Sequence, residues 1–171
     1  NKLLNCSFRD FAQYGVYLMD GNDYWIINGC SFYQTAPSIR MWADAAYIKS
    51  VYSSQATSPI LVQNSYFGGS APGATGTTAN IAYGSSFSGI YVEGNAEISG
   101  NTFRRMKFSN DSMAYDASVQ LIKINNSGNS GNWAISNNQI GGTNPADSIS
   151  ITQNFYAYNA YLSGISCQSG Y

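Results

Sequence analysis

Nine carboxylate side chains are spread along the chain: Asp10, Asp20, Asp23, Asp44, Glu93, Glu97, Asp111, Asp116 and Asp147. Two of them share a context. Asp20-Gly21-Asn22 and Glu93-Gly94-Asn95 each follow a short apolar stretch. Two carboxylates facing each other across a glycosidic bond can cleave it, at about 5–5.5 Å apart with retention and about 6.5–9.5 Å with inversion. An acid before Gly-Asn is also an ordinary turn former, its carboxylate bonding nearby N–H groups. Asp44 and Asp116 fall in longer spacer stretches and are the other acid candidates. An elimination reaction would call on cations instead, and Lys49, Lys123 and the run Arg104-Arg105-Lys107 are present. That run reads equally as a solvated loop or a subunit contact.

Other chemistries are excluded by residue type. The chain has no histidine, so Ser-His-Asp, Cys-His and histidine–metal sites cannot be built within it. Its three cysteines, Cys6, Cys30 and Cys167, include no C-x-x-C pair that would suggest zinc. A calcium site needs three or four clustered carboxylates, and the nine are dispersed. No metal and no cofactor are expected.

Any site needs elements to position it, and these are visible as a repeat. Leu3-Leu4-Asn5-Cys6-Ser7-Phe8, Ile27-Asn28-Gly29-Cys30-Ser31-Phe32, Val62-Gln63-Asn64-Ser65-Tyr66-Phe67, Ile98-Ser99-Gly100-Asn101-Thr102-Phe103 and Ile135-Ser136-Asn137-Asn138-Gln139-Ile140 align without gaps. The first position is aliphatic, as a buried strand residue should be. The third alternates Asn and Gly, the residues that tolerate a left-handed backbone at least cost, so a sharp bend recurs there. A small or amide side chain follows. The sixth position is Phe four times and then Ile. Stacked in layers, the amides would form a ladder and the rings a file.

Successive sixth positions are 24, 35, 36 and 37 residues apart. A fixed motif with variable spacers predicts a β-solenoid of about five coils, with loops of unequal length on one side. Second strand-like stretches lie in the spacers: Val16–Leu18, Ile39–Met41, Ile90–Val92, Leu121–Ile124 and Ile149–Ile151. The nearest approach to a helix is Ala43 to Tyr52. An antiparallel sandwich is the competing fold, but it has no reason to repeat one six-position register. Residues 1–151 are expected to form the solenoid, starting mid-coil as a fragment would. Residues 152–171 are expected to form a last partial coil or a C-terminal cover. In this register Asp20 and Glu93 share one edge, two layers apart, with backbones about 9–10 Å from each other.

Composition bounds the partners. The chain has 171 residues, a formal net charge of −1 and only 10% charged residues. With no basic surplus, nucleic acid is not an expected partner. No apolar run approaches the roughly 20 residues of a membrane span, so membrane insertion is not expected. The hydrophobic share of 44% supplies a core and argues against disorder.

The bend asparagines Asn5, Asn64 and Asn137 and the file Phe8, Phe32, Phe67 and Phe103 resemble the pectate-lyase-like right-handed, single-stranded parallel β-helix, over roughly residues 1–151. Within that superfamily the Asn-, Ser-, Gly- and Tyr-rich, charge-poor composition is most similar to bacteriophage tailspikes and capsule-degrading tail fibres. The resemblance implies a homotrimer on a virion tail, or otherwise outside the cell, that binds bacterial surface polysaccharide. It also implies hydrolysis or elimination of glycosidic bonds. A non-catalytic adhesin or structural spike with the same fold is the alternative.

For such a ligand, aromatic faces suit the apolar faces of pyranose rings, and amides and hydroxyls suit their edges. The spacer residues Trp42, Tyr47, Tyr83, Phe87 and Tyr115, with Lys49, are the expected binding residues. Asp20, Glu93, Asp44 and Asp116 are the expected catalytic acids. The same aromatics would also suit loop packing or a subunit interface. The sequence leaves both open.

Overall fold

The computed structural model describes residues 1–19, 24–36, 39–41, 44–51, 59–83, 86–110, 116–126, 132–153 and 159–169, with backbone alone for 39–41, 110, 116–117, 126, 153, 159–160 and 169. The chain is all-β. Its strands in order are β1 (Lys2–Leu4), β2 (Ser7–Arg9) and β3 (Tyr14–Leu18); β4 (Ile26–Asn28), β5 (Ser31–Tyr33), β6 (Ile39–Met41) and β7 (Ala45–Ser50); β8 (Ile60–Gln63), β9 (Tyr66–Phe67), β10 (Ala79–Tyr83) and β11 (Ser86–Glu93); β12 (Ala96–Ser99), β13 (Thr102–Phe103), β14 (Met106–Asn110) and β15 (Asp116–Asn126); and β16 (Trp133–Ser136), β17 (Gln139–Ile140), β18 (Ile149–Gln153) and β19 (Asn159–Ser169).

Hydrogen bonding sorts these strands into four sheets: β1-β4-β8-β12-β16, β2-β5-β9-β13-β17, β6-β10-β14-β18 and β3-β7-β11-β15-β19. Each strand therefore pairs with strands from the preceding and following stretches of chain, not with its sequence neighbours. All pairings between these strands are parallel. The antiparallel sandwich is thereby set aside.

The register follows the repeat residue for residue. Phe8 pairs with Phe32, Phe32 with Phe67, Phe67 with Phe103 and Phe103 with Ile140. In-register parallel strands stand about 4.8 Å apart, so identical side chains stack. The ring centroids of Phe8–Phe32, Phe32–Phe67 and Phe67–Phe103 are 4.8, 5.0 and 4.6 Å apart, with the planes within 12° of parallel. Ile27, Val62 and Ile98 form a second fully buried column beside them.

Between the first and second sheets the chain turns through two residues. The first of the two has a positive φ every time: Asn5 (54°), Gly29 (67°), Asn64 (49°), Gly100 (67°) and Asn137 (54°). The next residue points inward and satisfies the corner. Ser65 Oγ accepts from the Cys30 amide at 3.1 Å, Asn101 Oδ1 from the Ser65 amide at 3.0 Å, and Asn138 Oδ1 from the Asn101 amide at 3.0 Å. Asn101 is fully buried and also donates to the Val62 carbonyl at 2.8 Å. A buried amide is tolerated because both its ends are paired.

The spacers depart from expectation in two ways. Ala43 to Tyr52, the nearest helix candidate, contains strand β7, which pairs on both sides with β3 and β11. Two flanking ladders override a weak local preference. The second strand-like stretches also divide between two sheets. Val16–Leu18, Ile90–Val92 and Leu121–Ile124 lie in β3-β7-β11-β15-β19, whereas Ile39–Met41 and Ile149–Ile151 lie in β6-β10-β14-β18. In the final stretch β19 pairs with β15 from Asn159 to Ser169.

Candidate functional site

The sheet β3-β7-β11-β15-β19 carries the site. Along β11, Ile90 and Val92 are fully buried while Tyr91 and Glu93 are half-exposed, as a period-two strand requires. Register then sets one outward row across the sheet: Tyr17 opposite Lys49, Lys49 opposite Tyr91, Tyr91 opposite Lys123. A neighbouring row reads Tyr14, Ala46, Ser88, Gln120. Two small side chains between larger ones leave a depression.

That depression is a pocket of about 180 Å³, bounded by Asp44, Lys49, Ser86, Ser88, Tyr91 and Lys123 over a floor of Ala45 and Ala46. Drug-sized sites run to about 300–1,000 Å³, so this one holds a single small unit. Lys49 Nζ lies 5.4 Å and Lys123 Nζ 5.5 Å from the centroid of the Tyr91 ring. Lys49 Nζ is also 5.2 Å from the Tyr14 ring centroid and donates to the Tyr14 hydroxyl at 3.3 Å. Ammonium groups at such distances are drawn to the negative faces of the rings.

The Tyr91 hydroxyl is itself fixed. It donates to Glu93 Oε1 and accepts from Asn125 Nδ2 at 3.0 Å. Burial, reinforced by the hydrogen bond to Glu93, pushes its pKa up to about 12, so the phenol is neutral at ordinary pH. The Asp44 and Glu93 charges both act on it in the same upward direction. Asp44 adopts a positive φ of 59° just before β7, and its Oδ1 accepts from Ser86 Oγ at 2.6 Å. Among the described residues Asp44 is the one carboxylate that lines the pocket.

The expected residues separate into three groups. Lys49 and Asp44 line the pocket, and Glu93 holds its Tyr91 wall. Tyr47, Tyr83 and Phe87, expected as exposed platforms, are instead interior: each is at most 1% exposed. Tyr47 packs edge-on against Phe87 at 5.2 Å and Phe11 at 5.5 Å, and its hydroxyl donates to Met106 Sδ at 3.5 Å. Rings enclosed in this way cannot stack on a sugar. They belong to the same buried cluster as Phe32, Phe67 and Phe103. Asp20, Trp42 and Tyr115 lie outside the described residues. Asp116 begins β15 two positions before Ser118, the register partner of Ser86, and its side chain is likewise outside them.

Tyr91 and the serines Ser86 and Ser88 were not among the expected binding residues. The signal for Tyr91 was present in the strand triplets Val16-Tyr17-Leu18, Ile90-Tyr91-Val92 and Ile122-Lys123-Ile124. In each, the middle residue between two buried aliphatics faces out.

The cationic run behaves differently. Arg105 Nε donates to Asp147 Oδ1 at 2.7 Å, and Arg104 reaches the carbonyls of Ala74 and Gly73 at 3.0 and 3.1 Å. These arginines pin two loops to the sheets and are committed to structure.

Comparison with protein-family models, with curated proteins and with solved structures returns no match.

Proposed function

We propose that the chain is a right-handed, single-stranded parallel β-helix of about five coils, of the bacteriophage tailspike type, that binds bacterial surface polysaccharide. Support for the coil comes from the fixed order in which successive stretches supply strands to the four sheets, at spacings that match the repeat. Support for saccharide binding comes from one observation above the rest: the outward row Tyr17–Lys49–Tyr91–Lys123 beside a polar pocket. Aromatic faces, ammonium groups and hydroxyls within one strand width are the groups that hold a sugar ring by face and edge. A polysaccharide would lie across the sheet with one unit seated in the pocket. In this reading the protein is a homotrimer on the virion tail.

Binding without cleavage is better supported than hydrolysis, because the pocket has a single lining carboxylate among the described residues. Cleavage is the second reading. It is favoured by the placement of two carboxylates, Asp44 lining the pocket and Glu93 accepting from the hydroxyl of its Tyr91 wall.

The test incubates the protein with purified capsular and lipopolysaccharide fractions from a bacterial panel. It measures retention of the polysaccharide and release of shorter fragments. Retention without fragments supports the binding module. Fragments that disappear in Asp44→Asn or Glu93→Gln support the enzyme. No retention of any fraction overturns the proposal. Light scattering on the eluted protein tests the trimer.

A further inference from the structure

Resting on the saccharide reading, we infer that the pocket selects an anionic sugar unit, one whose carboxylate or sulfate sits between Lys49 and Lys123. The two lysines are register partners of the same residue from opposite sides, so their ammonium groups flank one ring, at 5.4 and 5.5 Å from its centroid. Two like charges held across one side chain repel each other, and the arrangement is relieved when an anion enters. Among the described residues neither lysine is paired with a carboxylate, the ion pairs being those of Arg104 and Arg105 with Asp147. Asp44, the lining carboxylate, is already engaged by Ser86. Among the described lining residues two cations face one carboxylate, and the other nearby carboxylate, Glu93, is held by the Tyr91 hydroxyl at the far end of the ring.

The wall between the lysines adds selectivity. The Tyr91 hydroxyl is committed to Glu93 and Asn125 and the two ammonium groups stand over the ring, so Tyr91 presents its edge and does not compete for the anion. Ser88 and Ser86 supply hydroxyls at the opposite rim for the neutral hydroxyls of the same sugar. A neutral hexose would use the serines and the ring but leave both ammonium groups unmatched. An anionic one uses all of them. Attraction to exposed cations weakens as salt screens them, so the preference must fall with ionic strength.

The experiment titrates the full chain with three probes: a galacturonate trimer, the same trimer with its carboxyl groups reduced to alcohols, and a sulfated trisaccharide. Binding is followed by calorimetry and by the lysine side-chain signals in NMR. The expected result is at least tenfold tighter binding of one or both anionic probes than of the reduced trimer. Lys49→Gln and Lys123→Gln should each cost about tenfold. Lys123→Arg, which keeps the charge, should retain most of the affinity and controls for folding. The better of the two anionic probes identifies the anion.

Equal binding of the reduced trimer, or no loss in the glutamine variants, overturns the inference while leaving the saccharide reading intact. Absence of binding by all three probes also overturns it. The saccharide reading itself fails only if the bacterial fractions above are not retained.

Discussion

Asn64 Oδ1 occupies the space that a side chain on Gly100 would need: a Cβ built at Gly100 would stand 2.6 Å from that oxygen. The same relation holds one pair earlier, where the Asn5 amide oxygen covers Gly29. The alternation of Asn and Gly at the third position of the repeat therefore has a steric cause. Each bend must be left-handed, which both residues tolerate. An asparagine at one layer covers the glycine of the next. Gly100→Ala should cost about 1–3 kcal/mol, from the positive φ and the displaced amide together. In the double variant Asn64→Ala/Gly100→Ala the second component disappears, so its cost should be less than the sum of the two single variants. Denaturant midpoints of the four proteins in the cycle check this.

Phe67 sits between Phe32 and Phe103, at 5.0 and 4.6 Å, and is fully buried. Phe67→Ala should destabilise by about 3–5 kcal/mol, because both neighbours lose a ring face and the layers above and below hold the cavity open. Its sequence neighbour Tyr66 points outward and is 38% exposed. Tyr66→Ala should change stability by no more than about 0.5 kcal/mol. Equal losses in chemical denaturation would contradict the interior file.

Asn101 is the most heavily used buried amide in the corner column. Its removal in Asn101→Ala leaves the Ser65 amide without its partner and takes a side-chain donor from the Val62 carbonyl. The expected cost is about 2–4 kcal/mol, one to two unsatisfied buried groups. Amide hydrogen exchange should locate it: Ser65 should lose protection, and residues of β3 should not.

Alkaline pH should weaken the fold in a defined window. Burial raises the Tyr83 and Tyr91 phenols to about 12 and raises that of Tyr47 as well. An unfolded tyrosine ionises near 10. Below about pH 10 both states keep these protons and the contribution is complete. Between about pH 10 and 12 the unfolded chain releases protons that the native one retains, so stability falls as pH rises. Thermal midpoints should drop across that range, and the slope should be shallower in Tyr91→Phe. Tyrosinate absorbance should show a set of phenols that ionises only as the chain unfolds.

The strand register was legible because it is written in side chains that must coincide. Phe8, Phe32, Phe67, Phe103 and Ile140 can form one file only at the spacings that the sequence shows. The spacers were less legible. Tyr47 and Tyr83 resemble the surface aromatics of a binding face, since tyrosine suits both burial and exposure. What fixes them inside is long-range: the Tyr47 ring packs against Phe11, Phe32, Phe67 and Phe87, and the Tyr83 ring against Phe108, while Gly15 and Gly89 leave room for the interior rings of Phe32 and Phe103. A Cβ at Gly89 would collide with the Leu121 carbonyl and come 2.8 Å from the Phe103 ring. The pocket itself was half legible. Lys49 and Asp44 were identifiable by charge, but the part played by Tyr91 depends on lateral neighbours 42 and 32 residues away, at Lys49 and Lys123.

The parallel pairing has a kinetic consequence. With Lys2 opposite Ile26 and Ala96 opposite Trp133, none of the described strand pairs is joined by a tight hairpin, and each ladder must close a long stretch of chain before its first bond forms. Closure entropy grows only as the logarithm of loop length, so the shortest closure is favoured over the longest by less than about 0.5 kcal/mol. Nucleation is therefore costly everywhere and preferred nowhere. Once two layers have joined, each new one docks on a finished template, so such a chain should refold slowly, with a long lag and a fast completion.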